Sequence, residues 1–243
     1  MTYETNARHE LRERAQSLSE AYEGQAATEV LKEAARGLFP GRIGLVSSFG
    51  TEAAVLLHMV SRIDPDMPVI FIDTRKHFDE TIAYRDDLAA RLGLRNLRTA
   101  APAGQALAHE DPDGTLHQRD PDLCCHVRKT IPMRQALSGL DCWITGRKRR
   151  QAATRSDLSL FEQQERWIKI NPLMDWTPED IAGYFEREGL PRHPLEEVGY
   201  PSVGCAVCTQ PVAAGDDPRS GRWADSGKTE CGIHFENGRM VRG

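Results

Sequence analysis

The sequence predicts an α/β fold, a mostly parallel sheet flanked by helices and followed by a loop-rich C-terminal segment. Two observations carry this reading. Short buried-strand runs alternate with stretches of helical periodicity as far as about residue 190, which is the pattern of strands joined through covering helices. Beyond Pro191 the chain is rich in Gly, Pro and Cys and loses its period, as expected of loops organised by a ligand or metal. A chain of 243 residues can bury one full core. We therefore expect a single domain over 1–243, with N-terminal helices at 1–40, the α/β core at 41–190 and the C-terminal segment at 191–243.

The elements follow in order. From Arg8 to Leu38 apolar and charged positions alternate at helical spacing, with Leu11, Ala15 and Leu18 on one face, so two amphipathic helices are expected. Ile43–Val46 reads as a buried strand, Ser47–Glu52 as a loop and Ala53–Met59 as a helix. After the Asp64–Pro68 turn, Val69–Ile72 is a second strand, Phe78–Leu92 a helix that Gly93 stops, and Leu94–Arg98 a third strand. The Pro/Gly/Asp-rich stretch Ala101–Asp122 reads as a loop, Cys124–Leu137 as helical, and Cys142–Thr145 and Trp167–Ile170 as strands. Thr177 is placed to cap a helix opened by Pro178.

Composition narrows the function class. A net charge of -5 with 28% charged residues suits an enzyme and argues against a general nucleic-acid surface. No apolar run approaches the roughly 18 residues of a membrane span, and the polar start MTYETNARHE lacks a signal-peptide core, so a cytoplasmic protein without a membrane partner is expected. In that compartment six cysteines point to metal binding or catalysis rather than disulfides.

The cysteines divide by position. Cys124 and Cys125 are adjacent, and Cys205 and Cys208 form a CxxC 80 residues later (205 minus 125). Together they can offer four thiolates to one centre, either zinc or an iron–sulfur cluster. Adjacent cysteines send their side chains in different directions, which suits the corners of a cluster better than a zinc knuckle. Cys231 stands apart in a polar, Gly-containing tail, with Arg219, Arg222 and Lys228 able to make the electropositive setting that a reactive thiol needs. Cys142 on its apolar strand is a buried small hydrophobe.

Anion-binding signals surround these. Ser47, Ser48 and Gly50 lie between a buried strand and a helix, where backbone N–H groups and the helix amino end can hold an anion, although a plain tight turn fits equally well. The loop lacks the GK[ST] ending of a Walker A motif. Thr145–Arg155 places five cations just after a predicted strand in an otherwise acidic chain, and Arg128-Lys129 adjoins the cysteine pair.

These residues resemble the adenylyl-sulfate and phosphoadenylyl-sulfate reductases, within the PP-loop adenine-nucleotide hydrolase-like fold. The resemblance rests on SSFGTE (47–52), FIDTRKHFDET (71–81), CCHVRKTIP (124–132), TGRKRRQAATR (145–155), INPLMDW (170–176), LPRHPLEEVGYPSVGCAVCT (190–209), RSGRW (219–223) and ECGIH (230–234). Arg75, Ala152 and Gln210 stand where the family often has Gly, Ser and Arg.

The resemblance implies that Cys124, Cys125, Cys205 and Cys208 ligate one [4Fe-4S] cluster and that Cys231 is the nucleophile. It implies that Ser47, Ser48, Phe49, Gly50 and Thr74 hold the nucleotide, and that Lys129, Lys148, Arg149, Arg219, Arg222 and His234 gather around the phosphosulfate. The implied activity is that of an assimilatory adenylyl-sulfate reductase releasing sulfite and AMP, with thioredoxin or glutaredoxin as thiol donor and with phosphoadenylyl sulfate as the rival substrate. The four cluster cysteines favour adenylyl sulfate, because the reductases specific for its 3'-phosphorylated relative resemble this chain without them. A homo-oligomer is compatible with all of this. Two other classes compete. An ATP pyrophosphatase or tRNA-thiolating enzyme of the PP-loop type would carry an SGGxDS loop, and a zinc-bound interaction module would leave Cys231 and the arginine-rich blocks without a role.

Overall fold

The structure, a computed structural model, describes residues 3–151, 155–224, 228, 235–236 and 239–240. Its first helix, α1 (Tyr3–Ala21), is followed by α2 (Ala27–Glu33), which winds on through a π-helical turn at Ala34–Leu38. The strands β1 (Ile43–Ser47) and β2 (Val69–Ile72) are buried at every position, as their unbroken apolar runs require of strands covered on both faces. Helix α3 (Ala53–Ile63) follows β1 and α4 (Asp79–Leu92) follows β2, ending at Gly93 in the left-handed conformation (φ 65°).

The expected third strand lies three residues later, at β3 (Leu97–Ala100). Its middle residues Arg98 and Thr99 are exposed, so burial leaves no mark on its sequence, and pairing with β2 (Val69 opposite Leu97) sets its register. The stretch expected to be a loop carries α5 (Gly104–Glu110) and α6 (Leu116–Arg119). Then α7 (Pro121–Cys125), a π-helical turn at His126–Thr130 and α8 (Ile131–Ala136) make one winding run. After β4 (Cys142–Ile144) comes a strand that the sequence did not suggest, β5 (Phe161–Gln164), turning tightly into β6 (Trp167–Ile170). Helix α9 (Pro178–Glu188) has the expected cap: Thr177 Oγ1 accepts from the Asp180 N–H, and the Asp180 carboxylate accepts from the Thr177 N–H at 2.8 Å. Short 3₁₀ turns at Pro194–Val198 and Ala206–Cys208 punctuate the loops beyond, and a small antiparallel pair, β7 (Phe235–Glu236) with β8 (Arg239–Met240), follows.

The six-stranded sheet has the order β3-β2-β1-β4-β6-β5, parallel except for the edge strand β5. Alternate residues face opposite layers. Val69 and Phe71 join the larger core with α1, α2, α3, α4 and α9, while Ile70 and Ile72 join a smaller one with Met133, Leu137, Trp143 and Trp167. The chain runs outward from β1 to β3, then returns to the far side of β1 to make β4. Strand order therefore reverses between β1 and β4, and the crevice outside their carboxyl ends is where open α/β sheets bind ligands.

Candidate active site

At that reversal the loops after β1 and β4 face each other across a cleft. The first loop is held from below by Phe49. Its backbone is left-handed (φ 51°), which turns the ring into the core edge-on to Phe71, centroids 5.7 Å apart, and its N–H donates to Ser47 Oγ at 3.1 Å. Phe49 can thus serve a nucleotide only through its backbone, while Ser47, Ser48 and Gly50 line the cleft. No side chain caps the amino end of α3, which opens behind this loop.

The second loop brings Lys148, which is almost fully buried. Its Nζ donates to Glu52 Oε2 at 2.7 Å, and Gln151 Nε2 donates to the same oxygen at 2.9 Å, so the carboxylate of the first loop ties the two together. Arg155 in turn donates to Gln151 Oε1. Arg149 does not join them: Leu158 O and Asp175 hold its guanidinium, and it does not line the cleft. Glu52, Gln151 and Arg155 were not among the candidates, although all three lie inside the sequence blocks that carried the resemblance.

Among the described residues the cleft lining includes six cations, Lys129, Arg147, Lys148, Arg155, Arg219 and Arg222, against one carboxylate, Glu52. In a chain of net charge -5 this local excess of positive charge suits an anion. Arg147 is also engaged from behind, its Nη1 donating to Glu162 Oε2 at 3.1 Å.

The CxxC segment forms the third wall. Ala206 N–H donates to the Lys76 carbonyl at 2.7 Å, Cys205 bridges to His77 as an antiparallel pair, and Cys205 Sγ lies 3.3 Å from Thr74 Oγ1. On its other side Thr209 bridges to Arg222, and Trp223 N–H donates to the Cys208 carbonyl at 3.0 Å. Arg222 packs so tightly on Gly204 that a β-carbon there would lie 2.1 Å from its Nη2, so a larger residue at 204 would have to displace the guanidinium. Its Nη1 donates to the Val203 carbonyl at 3.1 Å, and its guanidinium rests on Trp223. Two further lining residues, His77 and Trp223, were not among the candidates, although both lie inside the sequence blocks that carried the resemblance. His77 Nε2 lies 3.0 Å from the Ile72 carbonyl and so carries its proton there, and burial, foremost, lowers its pKa.

The two cysteine pairs meet beside this wall. Cys124, Cys125 and Cys205 are buried and Cys208 is half-buried. Burial pushes the Cys124 thiol up to about 12, with Cys125, Cys205 and Cys208 adding to the rise and Arg128 opposing it. Burial likewise raises Cys208, with Cys205 and Cys125 in support and Lys129 and Arg222 against. Four thiols from segments 80 residues apart thus lie within each other's electrostatic reach, with cations at hand to offset thiolate charge. Among the described residues no three His, Cys, Asp or Glu side chains stand grouped as the ligands of one metal ion.

The cysteine pair is braced by a buried ion pair. Arg128 Nε donates to Asp111 Oδ2 at 3.1 Å and its Nη1 to the Thr74 carbonyl at 2.8 Å. Burial alone would raise the Asp111 carboxyl, but hydrogen bonds from Arg128 and the Leu116 N–H, with the nearby charges, hold it below the usual range. Cys142 is wholly buried in β4, and burial drives its thiol well above its ordinary value, so it is unreactive. Cys231 and His234 lie outside the described residues, as does Ala152.

The family model of the phosphoadenosine phosphosulfate reductase domain matches residues 42–211. An adenosine 5'-phosphosulfate reductase of Mesorhizobium japonicum is 51% identical over 207 residues, 85% of this chain and 82% of that one. One from Bacillus cereus strain 03BB102 is 37% identical over 242 residues, 97% of this chain and all of the other. The phosphoadenylyl-sulfate reductase of Candida auris, solved as a phosphate complex, superposes with a TM-score of 0.70 at 28% identity, covering 83% of this chain and 97% of that one. The FMN adenylyltransferase of Candida glabrata, in complex with FMN and an ATP analogue, shares the fold alone, at TM-score 0.52 and 16% identity over 84% of this chain and 73% of its own.

Proposed function

The chain belongs to the phosphoadenosine phosphosulfate reductase family and has a PP-loop-like nucleotide-binding fold; from that premise we propose that it reduces adenosine 5'-phosphosulfate to sulfite, releasing AMP. The observation that carries the reading is the cleft itself. An anion crevice at the strand-order reversal is walled on one side by the CxxC segment, so phosphosulfate recognition and thiol chemistry adjoin.

In this reading the β1–α3 loop, through Ser47, Ser48, Gly50 and the Phe49 backbone, receives the nucleotide phosphate, and Thr74 borders it. Lys129, Lys148, Arg219 and Arg222 surround the phosphosulfate, with His234 alongside. Their charge stabilises the negative charge that collects on the phosphate oxygen as AMP leaves. The Cys231 thiolate attacks sulfur, the S–O bond to AMP breaks, and an S-sulfocysteine remains. A reduced thioredoxin or glutaredoxin then attacks the Cys231 sulfur. Sulfite departs with the electron pair, and the donor's second thiol resolves the mixed disulfide, leaving Cys231 free and the donor oxidised.

Cys124, Cys125, Cys205 and Cys208 fit a [4Fe-4S] cluster: three buried thiols and one half-buried thiol from two segments lie within electrostatic reach of one another beside offsetting cations. When bound, the cluster would hold these segments in place and add its field to the cleft.

The test is a single turnover. Protein incubated with adenosine 5'-phosphosulfate and no reductant should release about one equivalent of AMP and gain a thiol-labile sulfonate on Cys231, as covalent catalysis requires. Cys231→Ser should bind the nucleotide yet form no adduct, since a neutral hydroxyl is a far poorer nucleophile than a thiolate. Normal turnover by Cys231→Ser, or an adduct on Cys142, would overturn the reading.

A further inference from the structure

Three strands set a carboxylate behind the cleft. Trp143 of β4 stands opposite Lys169 of β6, and Lys169 stands opposite Glu162 of β5, so the three share one row and one face of the sheet. The row starts at the cleft, which Trp143 lines, and ends on Glu162. There a single oxygen, Glu162 Oε2, takes three donors: Lys169 Nζ at 2.7 Å, Asn171 Nδ2 at 2.9 Å and Arg147 Nη1 at 3.1 Å. Burial alone would raise the Glu162 carboxyl, but the charges of Lys169 and Arg147, with hydrogen bonds from Lys169 and Asn171, hold it below the usual carboxylate range.

Two of the three donors also serve the edge of the sheet. Lys169 donates to Gln164 Oε1 at 3.0 Å and Asn171 to the Ser159 carbonyl at 2.7 Å, which ties β5 and its approach to β6. Arg147 differs, because it follows β4 and lines the cleft although its side chain is only 9% exposed. A guanidinium is a rigid planar fork of five N–H donors, so holding one nitrogen from behind sets the direction of the rest. A buried ion network adds little stability over apolar packing of the same volume, and its presence beside the cleft suits the orienting of a charged group.

We propose that Arg147 is a further binding residue for the nucleotide phosphate and that Glu162 is its positioning residue, holding the guanidinium from behind so that the fork meets the anion. The proposal rests on the reading of this cleft as the nucleotide site. It deepens that reading, since β4 lies beside β1, whose loop receives the phosphate there. Two cations share one carboxylate, so the network keeps a net positive charge and adds its field to the cleft.

The experiment is a double-mutant cycle in cluster-loaded protein, with Arg147→Met, Glu162→Gln and their combination. Lys169→Met is the control, since it opens the same network and leaves the Arg147–Glu162 pair intact. Titration calorimetry measures the affinity for AMP and for adenosine, which lacks the anion. Arg147→Met should bind AMP roughly tenfold more weakly, as the loss of one charge-assisted contact implies, and adenosine as wild type does. It should also raise KM for adenosine 5'-phosphosulfate more than it lowers kcat. Glu162→Gln should lose several-fold in AMP affinity alone and nothing further once position 147 is Met, because it acts only through Arg147. Lys169→Met should unfold at lower temperature yet bind AMP normally. If Glu162→Gln does not fold, Glu162→Asp, which keeps the charge and withdraws the oxygen, takes its place in the cycle. Arg147→Met that binds AMP like wild type, or that weakens adenosine equally, overturns the proposal, as does a Glu162 effect that persists in full without Arg147. Wild type that binds AMP but forms no sulfite sinks the reductase reading instead, and the AMP cycle still decides the role of Arg147.

Discussion

The β1–α3 loop and the cysteine site share one cleft but are held by different physics. The loop is local: Ser47, Phe49 and Glu52 lie within six residues, on a strand and helix whose apolar runs bury into the main core. The cysteine site is assembled from afar. Cys124 and Cys125 ride on a short helix braced by Asp111 and Thr74, while Cys205 and Cys208 sit in a loop stitched to Lys76 and His77 on one side and to Arg222 and Trp223 on the other. Its buried apolar residues Leu116, Val127, Val203 and Trp223 belong to neither of the two main cores, and ion pairs and backbone hydrogen bonds tie the region in. It follows that the loop should survive changes that dismantle the cysteine site.

The largest effect expected is on metal content. Replacing Cys124, Cys125, Cys205 or Cys208 with Ser should cut iron and sulfide from about four each per chain to a small remainder, while the far-UV circular dichroism of the sheet and helices persists. Cys142→Ala should keep the cluster. Equal loss of cluster in both kinds of variant, or stoichiometric zinc without sulfide, would erase the contrast.

Asp111→Asn leaves Arg128 buried without its counter-charge and should cost about 3–5 kcal/mol, as breaking a buried pair from one side does. Chemical denaturation measures this, and a cost under about 1 kcal/mol would show that water already relieves the pair.

A third probe is acid. Burial lowers the pKa of His193 to about 4, and its two nitrogens are engaged by Thr81 Oγ1 and the Leu195 N–H. With the folded pKa below the unfolded 6.5, the unfolded chain binds the extra proton first. Stability from this group is therefore complete above pH 6.5 and declines as pH falls toward 4. Denaturation curves across that window should slope less in His193→Gln than in wild type.

The smallest effect tests the local regime. Thr177→Ala removes one half of the α9 capping box and should cost about 1 kcal/mol with no change in cluster content. A fall in iron would mean that α9 and the cysteine site are coupled more closely than their separate contacts suggest.

Wherever one short stretch satisfies its own physics, the sequence is enough. The apolar runs at Ile43–Val46, which the strand extends by one residue to Ser47, and at Val69–Ile72, the left-handed stop at Gly93 and the Thr177–Asp180 cap are each decided by neighbours a few residues away. The edge strand β5 was illegible because its polar residues are buried in pairs. Gln164 accepts from Lys169 Nζ at 3.0 Å, and Glu162 meets Lys169, Arg147 and Asn171, so a strand looks like a polar loop until its partners are known. The same holds at the cleft. Basic character after β4 was plain in the sequence, but only packing turned Lys148 inward to Glu52 and left Arg149 on Asp175, because adjacent side chains leave a backbone in different directions and the surrounding fold decides which one finds the crevice. Cysteine spacing likewise named four candidate ligands, and only the fold sets the two pairs within electrostatic reach of each other, since no local preference acts across 80 residues of chain.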